Sequence, residues 1–158
     1  MKKPLIIIGA GPGGYTAAFL AADKGIPVTL VDQDPVLGGV CLNRGCIPTK
    51  ALIHIAKGII DGREITSLGV DFGEPKIDIE KIRAFKEGVV SKLTGGLAQL
   101  AKQRKVELIH GRASFIAPQL LAIFRPEGGH DEIPFEKAII ATGSLPIGLP
   151  FAPASDNI

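Results

Sequence analysis

The sequence predicts an α/β fold, with a parallel sheet, flanking helices and a small antiparallel β-meander. Three observations support this prediction. An apolar run, a glycine-rich turn, a helical segment and a second apolar run follow one another within the first 32 residues, and this order describes a βαβ unit with parallel strands. A long amphipathic helix pattern fills the middle of the chain. After it, short strand patterns alternate with turn signals.

The N-terminal unit begins with residues 5–8, whose unbroken apolar run is typical of a strand buried on both faces. Residues 15–24 are rich in alanine and leucine and predict a helix that ends at Gly25. Residues 28–31 form the second apolar run, which closes on Asp32. These elements are expected to begin the parallel sheet.

Two further helices are predicted. Residues 46–61 place Pro48 in the first turn of a helix, where a missing backbone N–H costs little. Residues 78–105 form a long helix with Asp78 as its N-cap. The apolar positions of this helix step by three or four and predict a stripe that faces the core: Ile79, Ile82, Phe85, Val89, Leu93, Leu97 and Leu100.

The remaining strands are expected at residues 106–109, 113–116, 120–124, 132–135 and 138–141. A hairpin turn is expected at residues 127–130, which contain two adjacent glycines. Residues 145–158 are rich in proline and predict a linker that leaves the domain. One domain is therefore expected over residues 1–144.

Composition narrows the possible functions. Apolar residues make up 46% of the chain, charged residues 22%, and the net charge is +2; this is a soluble globular balance without the basic excess of a nucleic-acid-binding protein. The first apolar run ends at Gly9, too early for a secretory signal, and no stretch is long enough for a membrane span. We expect a cytoplasmic protein with neither nucleic acid nor membrane as partner. In that reducing compartment, two cysteines are expected to be catalytic, metal-binding or redox-sensing.

The segment GAGPGG at residues 9–14 matches the dinucleotide-binding pattern G-x-G-x-x-G. It follows a predicted strand, opens a helix and is followed by Asp32 at the end of the next strand, which is the context that the pattern requires. Gly9 permits the tight turn, Gly11 lets the backbone approach a pyrophosphate, and Gly14 lets helix and strand pack closely. Asp32 would accept hydrogen bonds from an adenosine ribose, which favours FAD or NAD over NADP. The alternative is a glycine-rich turn in another kind of α/β domain.

Cys41 and Cys46 lie five positions apart. On an ideal helix their Cα atoms would be separated by roughly 8–9 Å, whereas a disulfide requires about 4.4–6.8 Å. A bridge between them therefore needs a break in the helix, which Gly45 permits, and its small ring suits a switchable bond better than a structural one. Zinc is the alternative, but two cysteines and His54 do not complete a tetrahedral site, so no metal is expected. Nearby Arg44 and Lys50, with a helix N-terminus, would favour a thiolate.

Four segments together resemble the pyridine nucleotide–disulfide oxidoreductase family (class I), and the resemblance covers the whole chain. They are IIIGAGPGG at 6–14, GVCLNRGCIPTK at 39–50, GRASF at 111–115 and IIATGS at 139–144. Within the family, the cysteine segment and LTGGL at 93–97 are closer to lipoamide dehydrogenases than to glutathione or mercuric reductases. The resemblance implies a Rossmann-like FAD/NAD-binding fold.

The resemblance also implies roles for individual residues. Cys41 would be the interchange thiol, Cys46 the thiolate that faces the flavin, and Lys50 a neighbour of flavin N5. The residues implied in cofactor binding are Gly9, Gly11, Gly14, Asp32, Gly39, Lys50, Ala113, Thr142, Gly143 and Ser144. Asp32 stands where many relatives have Glu, and Arg44 stands where many have a small apolar residue. His54, on the predicted active-site helix, is expected to serve packing.

The implied activity is FAD-dependent oxidation of protein-bound dihydrolipoamide with NAD, in the bacterial cytoplasm. The implied partners are the lipoyl domain of a 2-oxo acid dehydrogenase complex and, in the full-length enzyme, a second subunit. Relatives continue into NAD-binding and dimerisation domains beyond the region matched by this chain, so we expect the chain alone not to turn over. Two alternatives remain: another disulfide or mercuric reductase of the family, or a non-catalytic dinucleotide-binding redox sensor.

Overall fold

The computed structural model describes residues 3–145, 147–148 and 151. Within these residues, six strands and four helices follow one another along the chain. Their bounds are β1 (Lys3–Ile8), α1 (Pro12–Asp23), β2 (Val28–Asp32), α2 (Gly39–Asn43), α3 (Cys46–Thr66), α4 (Ile79–Gln103), β3 (Glu107–His110), β4 (Arg112–Ala117), β5 (Leu120–Phe124) and β6 (His130–Ile140). The predicted linker at 145–158 lies mostly outside the described residues.

The strands form one sheet in the order β3-β2-β1-β6-β5-β4. The pairs β1–β2, β1–β6 and β2–β3 are parallel, whereas β4–β5 and β5–β6 are antiparallel. The predicted α/β class, with its parallel sheet and small antiparallel meander, is confirmed. The hairpin at 127–130 is confirmed as well, since Arg125 N donates to Gly129 O at 3.1 Å between the ends of β5 and β6.

Strand β6 corrects the prediction of two separate strands at 132–135 and 138–141. It is continuous because it changes partner without ending: its first half pairs with β5, up to Pro134, and its second half pairs with β1 from Phe135 onward. The exposed pair Glu136 and Lys137, which looks like an interruption in the sequence, lies in this second half. A single strand therefore joins the meander to the parallel sheet.

The central strands are buried on both faces, as their unbroken apolar runs predict. On one face, Leu5 and Ile7 of β1 pack in a cluster with Ala18 of α1 and Ala101 of α4. On the other face, Ile6 and Ile8 pack in a cluster with the meander residues Leu121, Ile123 and Phe135. One face is thus covered by helices and the other by the meander. This layering leaves the carboxyl ends of the parallel strands free to build a site.

Helix α4 has Asp78 as its N-cap, since the Asp78 side chain accepts a hydrogen bond from Lys81 N at 3.1 Å. The predicted core-facing stripe of this helix is wrong for most of its length. Ile79, Phe85 and Leu93 are 54%, 45% and 42% exposed, and burial reaches completion only near the end, at Ala101. Periodicity shows that one face is apolar but does not identify what covers it. Here α4 packs mainly against α3 and only its last turns meet the sheet.

Helix α1 begins at Pro12 rather than at the predicted residue 15, because proline suits the first position of a helix. The short helix α2 was not predicted, and α3 runs on to Thr66, past the predicted end at residue 61. Among the described residues, no helix combines the length and the apolarity that crossing a bilayer requires.

Candidate cofactor and redox site

The glycine loop between β1 and α1 is built by three glycines with different tasks. Gly9 has a φ of +103°, and a Cβ there would overlap the carbonyl oxygen of Ala141. A Cβ on Gly14 would overlap the carbonyl oxygen of Gly9. Gly11 differs, because a Cβ there would meet nothing nearer than the Cα of Gly39, at 3.9 Å. Gly9 and Gly14 are therefore needed for packing, while Gly11 leaves its backbone open to a ligand.

Asp32, the last residue of β2, connects the glycine loop to the neighbouring strand ends. Its Oδ2 accepts a hydrogen bond from Ala10 N, and its Oδ1 accepts one from Asp34 N at 2.7 Å. Its backbone carbonyl accepts from Gly111 N at 2.8 Å. A carboxylate can accept about four hydrogen bonds, so the half-buried Asp32 is fixed in place and still has lone pairs for a ribose hydroxyl.

A cavity of about 430 Å³ opens at the carboxyl ends of the parallel strands. It gathers six of the predicted cofactor residues, from four separate parts of the chain: Gly9, Asp32, Ala113, Thr142, Gly143 and Ser144. The cavity is also lined by Gln33, Gly111 and Arg112, to which the sequence analysis gave no role of their own. Gly111 and Arg112 belong to the GRASF segment at 111–115, and Gln33 directly follows Asp32, so both signals were present in the sequence. Gly11, Gly14, Gly39 and Lys50 do not line this cavity.

The helix that bears the first cysteine packs directly on the glycine loop. Gly39, the first residue of α2, has a φ of +58°, and a Cβ there would lie 2.7 Å from the Cα of Gly11. Gly38 N also donates a hydrogen bond to Ala10 O at 2.9 Å. Gly39 therefore acts through close backbone packing, which joins the cysteine segment to the dinucleotide loop.

The two cysteines lie on either side of a break between helices. Cys41 is half-buried within α2, Cys46 is exposed as the first residue of α3, and both are free thiols. Gly45 is not helical, and a Cβ there would lie 3.6 Å from the Cα of Cys41. The predicted departure from regular helix is confirmed, because the chain turns back at Gly45 so that Cys46 approaches Cys41.

The pKa of the Cys41 thiol is raised above its ordinary value. The largest cause is the hydrogen bond between the two cysteine side chains, which holds the proton on Cys41; desolvation and the charge of Cys46 add to it. The backbone N–H of Cys46 and the charge of Lys50 act in the opposite direction but are weaker. These effects favour the protonated thiol at Cys41, whereas a thiolate was expected at Cys46 or Cys41. Arg44, expected to support it, instead forms an ion pair with Asp34.

We expect Cys46→Ala to make Cys41 more reactive near neutral pH. Alkylation proceeds through the thiolate. Because the pKa of Cys41 is raised, its alkylation rate increases only at higher pH. Removing the Cys46 sulfur removes the main cause of the raised pKa. The pH at which the alkylation rate reaches half its maximum should therefore move to a lower value. The measurement is the rate of iodoacetamide labelling of the Cys41 peptide, followed by mass spectrometry between about pH 6 and 10. If the pH of half-maximal rate stayed the same or rose, the Cys46 side chain would not be the cause of the raised Cys41 pKa.

The other predicted residues lie on α3. Lys50 is exposed, one turn after Cys46. His54 is exposed as well, next to Ile82 and Phe85 of α4, and so is not a packed core residue. The structure thus brings the glycine loop, Asp32, the strand ends and the cysteine segment to one edge of the sheet.

Comparisons with known proteins agree with this arrangement. The sequence profile of the pyridine nucleotide-disulphide oxidoreductases matches residues 3–157. Dihydrolipoyl dehydrogenase of Vibrio cholerae is 47% identical over 156 residues, which cover 99% of this chain and 33% of the relative. The protein of that name from Staphylococcus aureus is 45% identical over 150 residues, covering 95% and 32%. The chain spans about a third of the length of these curated relatives.

Among solved structures, the chain is similar to the HOCl-induced flavoprotein disulfide reductase RclA from Escherichia coli. The TM-score is 0.75 with 30% sequence identity, covering 93% of this chain and 29% of that chain. A Cu(II) complex of the same protein gives a TM-score of 0.78 with 33% identity, covering 95% and 30%.

Proposed function

Because this chain belongs to the pyridine nucleotide-disulphide oxidoreductase family, we propose that it forms the FAD-binding part of a flavin-dependent disulfide oxidoreductase. The observation that carries the proposal is the contact between Gly39 and Gly11, where the cysteine segment rests on the dinucleotide loop. A dinucleotide bound at that loop would extend along the segment that carries the two thiols. Residues 1–144 would be the FAD domain and residues 145–158 its exit linker.

The residues present fit FAD. Gly11 offers open backbone where a pyrophosphate needs close approach, and the first N–H groups of α1 have no partners within the helix. Asp32 would hold the adenosine ribose, and Ala113 would contact the adenine through its backbone. Thr142, Gly143 and Ser144 would line the cofactor at the end of β6, and Lys50 would supply positive charge near the flavin ring. When bound, FAD would accept two electrons from the thiol pair and pass them to NAD.

We propose protein-bound dihydrolipoamide as the substrate, because the curated relatives are dihydrolipoyl dehydrogenases. One thiolate of the substrate would attack the Cys41 sulfur of the oxidised pair, and Cys46 would leave as a thiolate. The second substrate thiol would then attack the mixed disulfide and release lipoamide, leaving both cysteines reduced. The hydrogen bond between the two cysteine side chains raises the pKa of Cys41, which is consistent with Cys41 taking up a proton once the pair is reduced.

The partners follow from the same proposal. The lipoyl domain of a 2-oxo acid dehydrogenase complex would present the substrate, in the cytoplasm of a bacterium. The NAD site and the contacts of a homodimer would belong to the part of the relatives that this chain does not match. A different disulfide substrate is the second candidate, since the similar solved structures are of a flavoprotein disulfide reductase.

The test is the visible absorption spectrum of the chain saturated with FAD, before and after one equivalent of dihydrolipoamide. We expect a new long-wavelength band when the pair is reduced, together with two newly titratable thiols per chain. Cys46→Ser, with FAD still bound, should not develop the band. Reduction of the two cysteines without any change in the flavin spectrum would favour a redox sensor over the oxidoreductase.

A further inference from the structure

Asn43 lies between the two cysteines and is held by two hydrogen bonds. Its Nδ2 donates to the carbonyl oxygen of Leu37 at 3.2 Å, in the segment that enters α2. Its Oδ1 accepts from the hydroxyl of Thr94 at 3.1 Å, and Thr94 belongs to α4. Both polar atoms of the Asn43 amide are thus used. They connect the segment between Cys41 and Cys46 to Leu37, before α2, and to Thr94 on α4.

The two hydrogen bonds of Asn43 hold the segment between the cysteines more firmly than the Arg44–Asp34 ion pair does. Both are part-buried, so water competes with them less than with a bond in solvent. The Arg44–Asp34 ion pair is more open, since the Arg44 side chain is 60% exposed, and exposed ion pairs contribute little. Leu42, which is 7% exposed, packs the same segment from its apolar side. Asn43 is therefore the main polar anchor of the segment.

We propose that Asn43 and Thr94 form a clamp that positions Cys41 and Cys46 for disulfide formation, an inference that rests on the proposed redox function. A bond between two groups on one chain forms more readily when the reduced state already holds them close. In the dithiol, the clamp restricts the turn at Gly45; in the disulfide, the S–S bond supplies that restriction itself. Loss of the clamp should therefore loosen the dithiol more than the disulfide and shift the equilibrium towards the dithiol.

The amide is specific for this task. One amide supplies both the donor that Leu37 O requires and the acceptor for the Thr94 hydroxyl. Asn43→Asp would keep an acceptor for Thr94 but place a carboxylate oxygen against the carbonyl of Leu37. Thr94→Ser keeps the hydroxyl and should preserve the clamp, whereas Thr94→Val keeps the shape and removes the donor.

The experiment measures the equilibrium between the chain and glutathione, without added FAD. In the reaction, an S–S bond forms between Cys41 and Cys46 while the bond of oxidised glutathione breaks. The dithiol gives up two electrons and two protons, and two glutathione thiols are released. Trapping with an alkylating reagent and mass spectrometry give the fraction oxidised over a series of glutathione ratios. The variants are Asn43→Ala, Thr94→Val, their combination, and Thr94→Ser. Thr66→Val is the matched control, because the Thr66 hydroxyl donates to Gly62 O of its own helix, at 3.3 Å, and is exposed.

We expect Asn43→Ala and Thr94→Val each to lower the equilibrium constant for disulfide formation by about three- to tenfold, which matches one hydrogen bond. Their combination should be less than additive, and Thr94→Ser and Thr66→Val should stay within about twofold of the parent. Equal constants in the parent and in every variant, with lower thermal stability in Asn43→Ala, would mean that the clamp is merely structural and would overturn the inference. If the parent chain formed no Cys41–Cys46 disulfide at any glutathione ratio, the proposed function itself would fail.

Discussion

Gly14→Ala should destabilise the chain by at least about 3 kcal/mol, more than the usual cost of overpacking a core. The added Cβ would overlap the carbonyl oxygen of Gly9, which is backbone and cannot rotate away as a side chain can. Relief requires α1 to move off β1, and this separates Ala18 from the core cluster that contains Leu5 and Ile7. Urea denaturation followed by circular dichroism measures the change.

Gly13→Ala is the matched control for that substitution. Gly13 is the preceding residue of the same helix, and a Cβ there would meet only the Cβ of Ala141, at 3.9 Å. We expect its stability to equal or slightly exceed that of the parent, because alanine favours helix over glycine. Gly11→Ala should also fold but lose FAD, since its Cβ points into the open space of the loop. Equal stability of Gly14→Ala and Gly13→Ala would show that the helix and strand pack less closely than described.

Cys46→Ser and Cys41→Ser should each abolish the intramolecular disulfide and with it the oxidation of dihydrolipoamide by that bond, but the two variants should differ in the adducts that they form. With Cys46 replaced, the half-buried Cys41 can still attack oxidised glutathione and release one glutathione thiol, and the chain has no other cysteine to resolve the mixed disulfide. A mixed disulfide should therefore accumulate on Cys41 in Cys46→Ser, approaching one adduct per chain. Intact-mass analysis after incubation with oxidised glutathione gives the yield.

Cys41→Ser provides the comparison. Its remaining thiol, Cys46, is exposed at the start of α3 and should react with small disulfides as well. The two adducts differ in their response to dihydrolipoamide bound to a protein: the Cys41 adduct should be released, as expected of the interchange thiol, and the Cys46 adduct should persist. Release of both at one rate would falsify the assignment of separate roles.

The sequence predicted those parts of the site that depend on local geometry. The glycines at 9 and 14 are recognisable because the sharp turn between strand and helix leaves no room for side chains there, and Gly11 because its backbone must stay open to a ligand. Asp32 was predicted from its place at the end of the second strand, whereas Ala113 and Thr142 were implied by the family resemblance; all three line the cavity at the carboxyl ends of the parallel strands. The break between the cysteines followed from the length of a disulfide alone.

What the sequence did not predict depends on contacts between distant segments. Arg44 was expected to favour a thiolate, but the turn after β2 brings Asp34 within reach and the two charges pair. The continuity of β6 was missed because its partner changes midway from β5 to β1. Helix α2 is too short for a periodic signal, and the stripe on α4 shows its apolar character without showing what covers it.

The pairing of β1 with β6 sets the order in which the chain can fold during its synthesis. Ile8 at one end of the chain is paired with Ile140 near the other, so β1 waits for roughly 130 more residues before its second edge is covered, on the order of ten seconds at ribosomal rates. The βαβ unit of β1, α1 and β2 can form early, because its contacts are local. Until β6 emerges, however, the apolar residues 5–8 of β1 present an open edge to any other nascent strand.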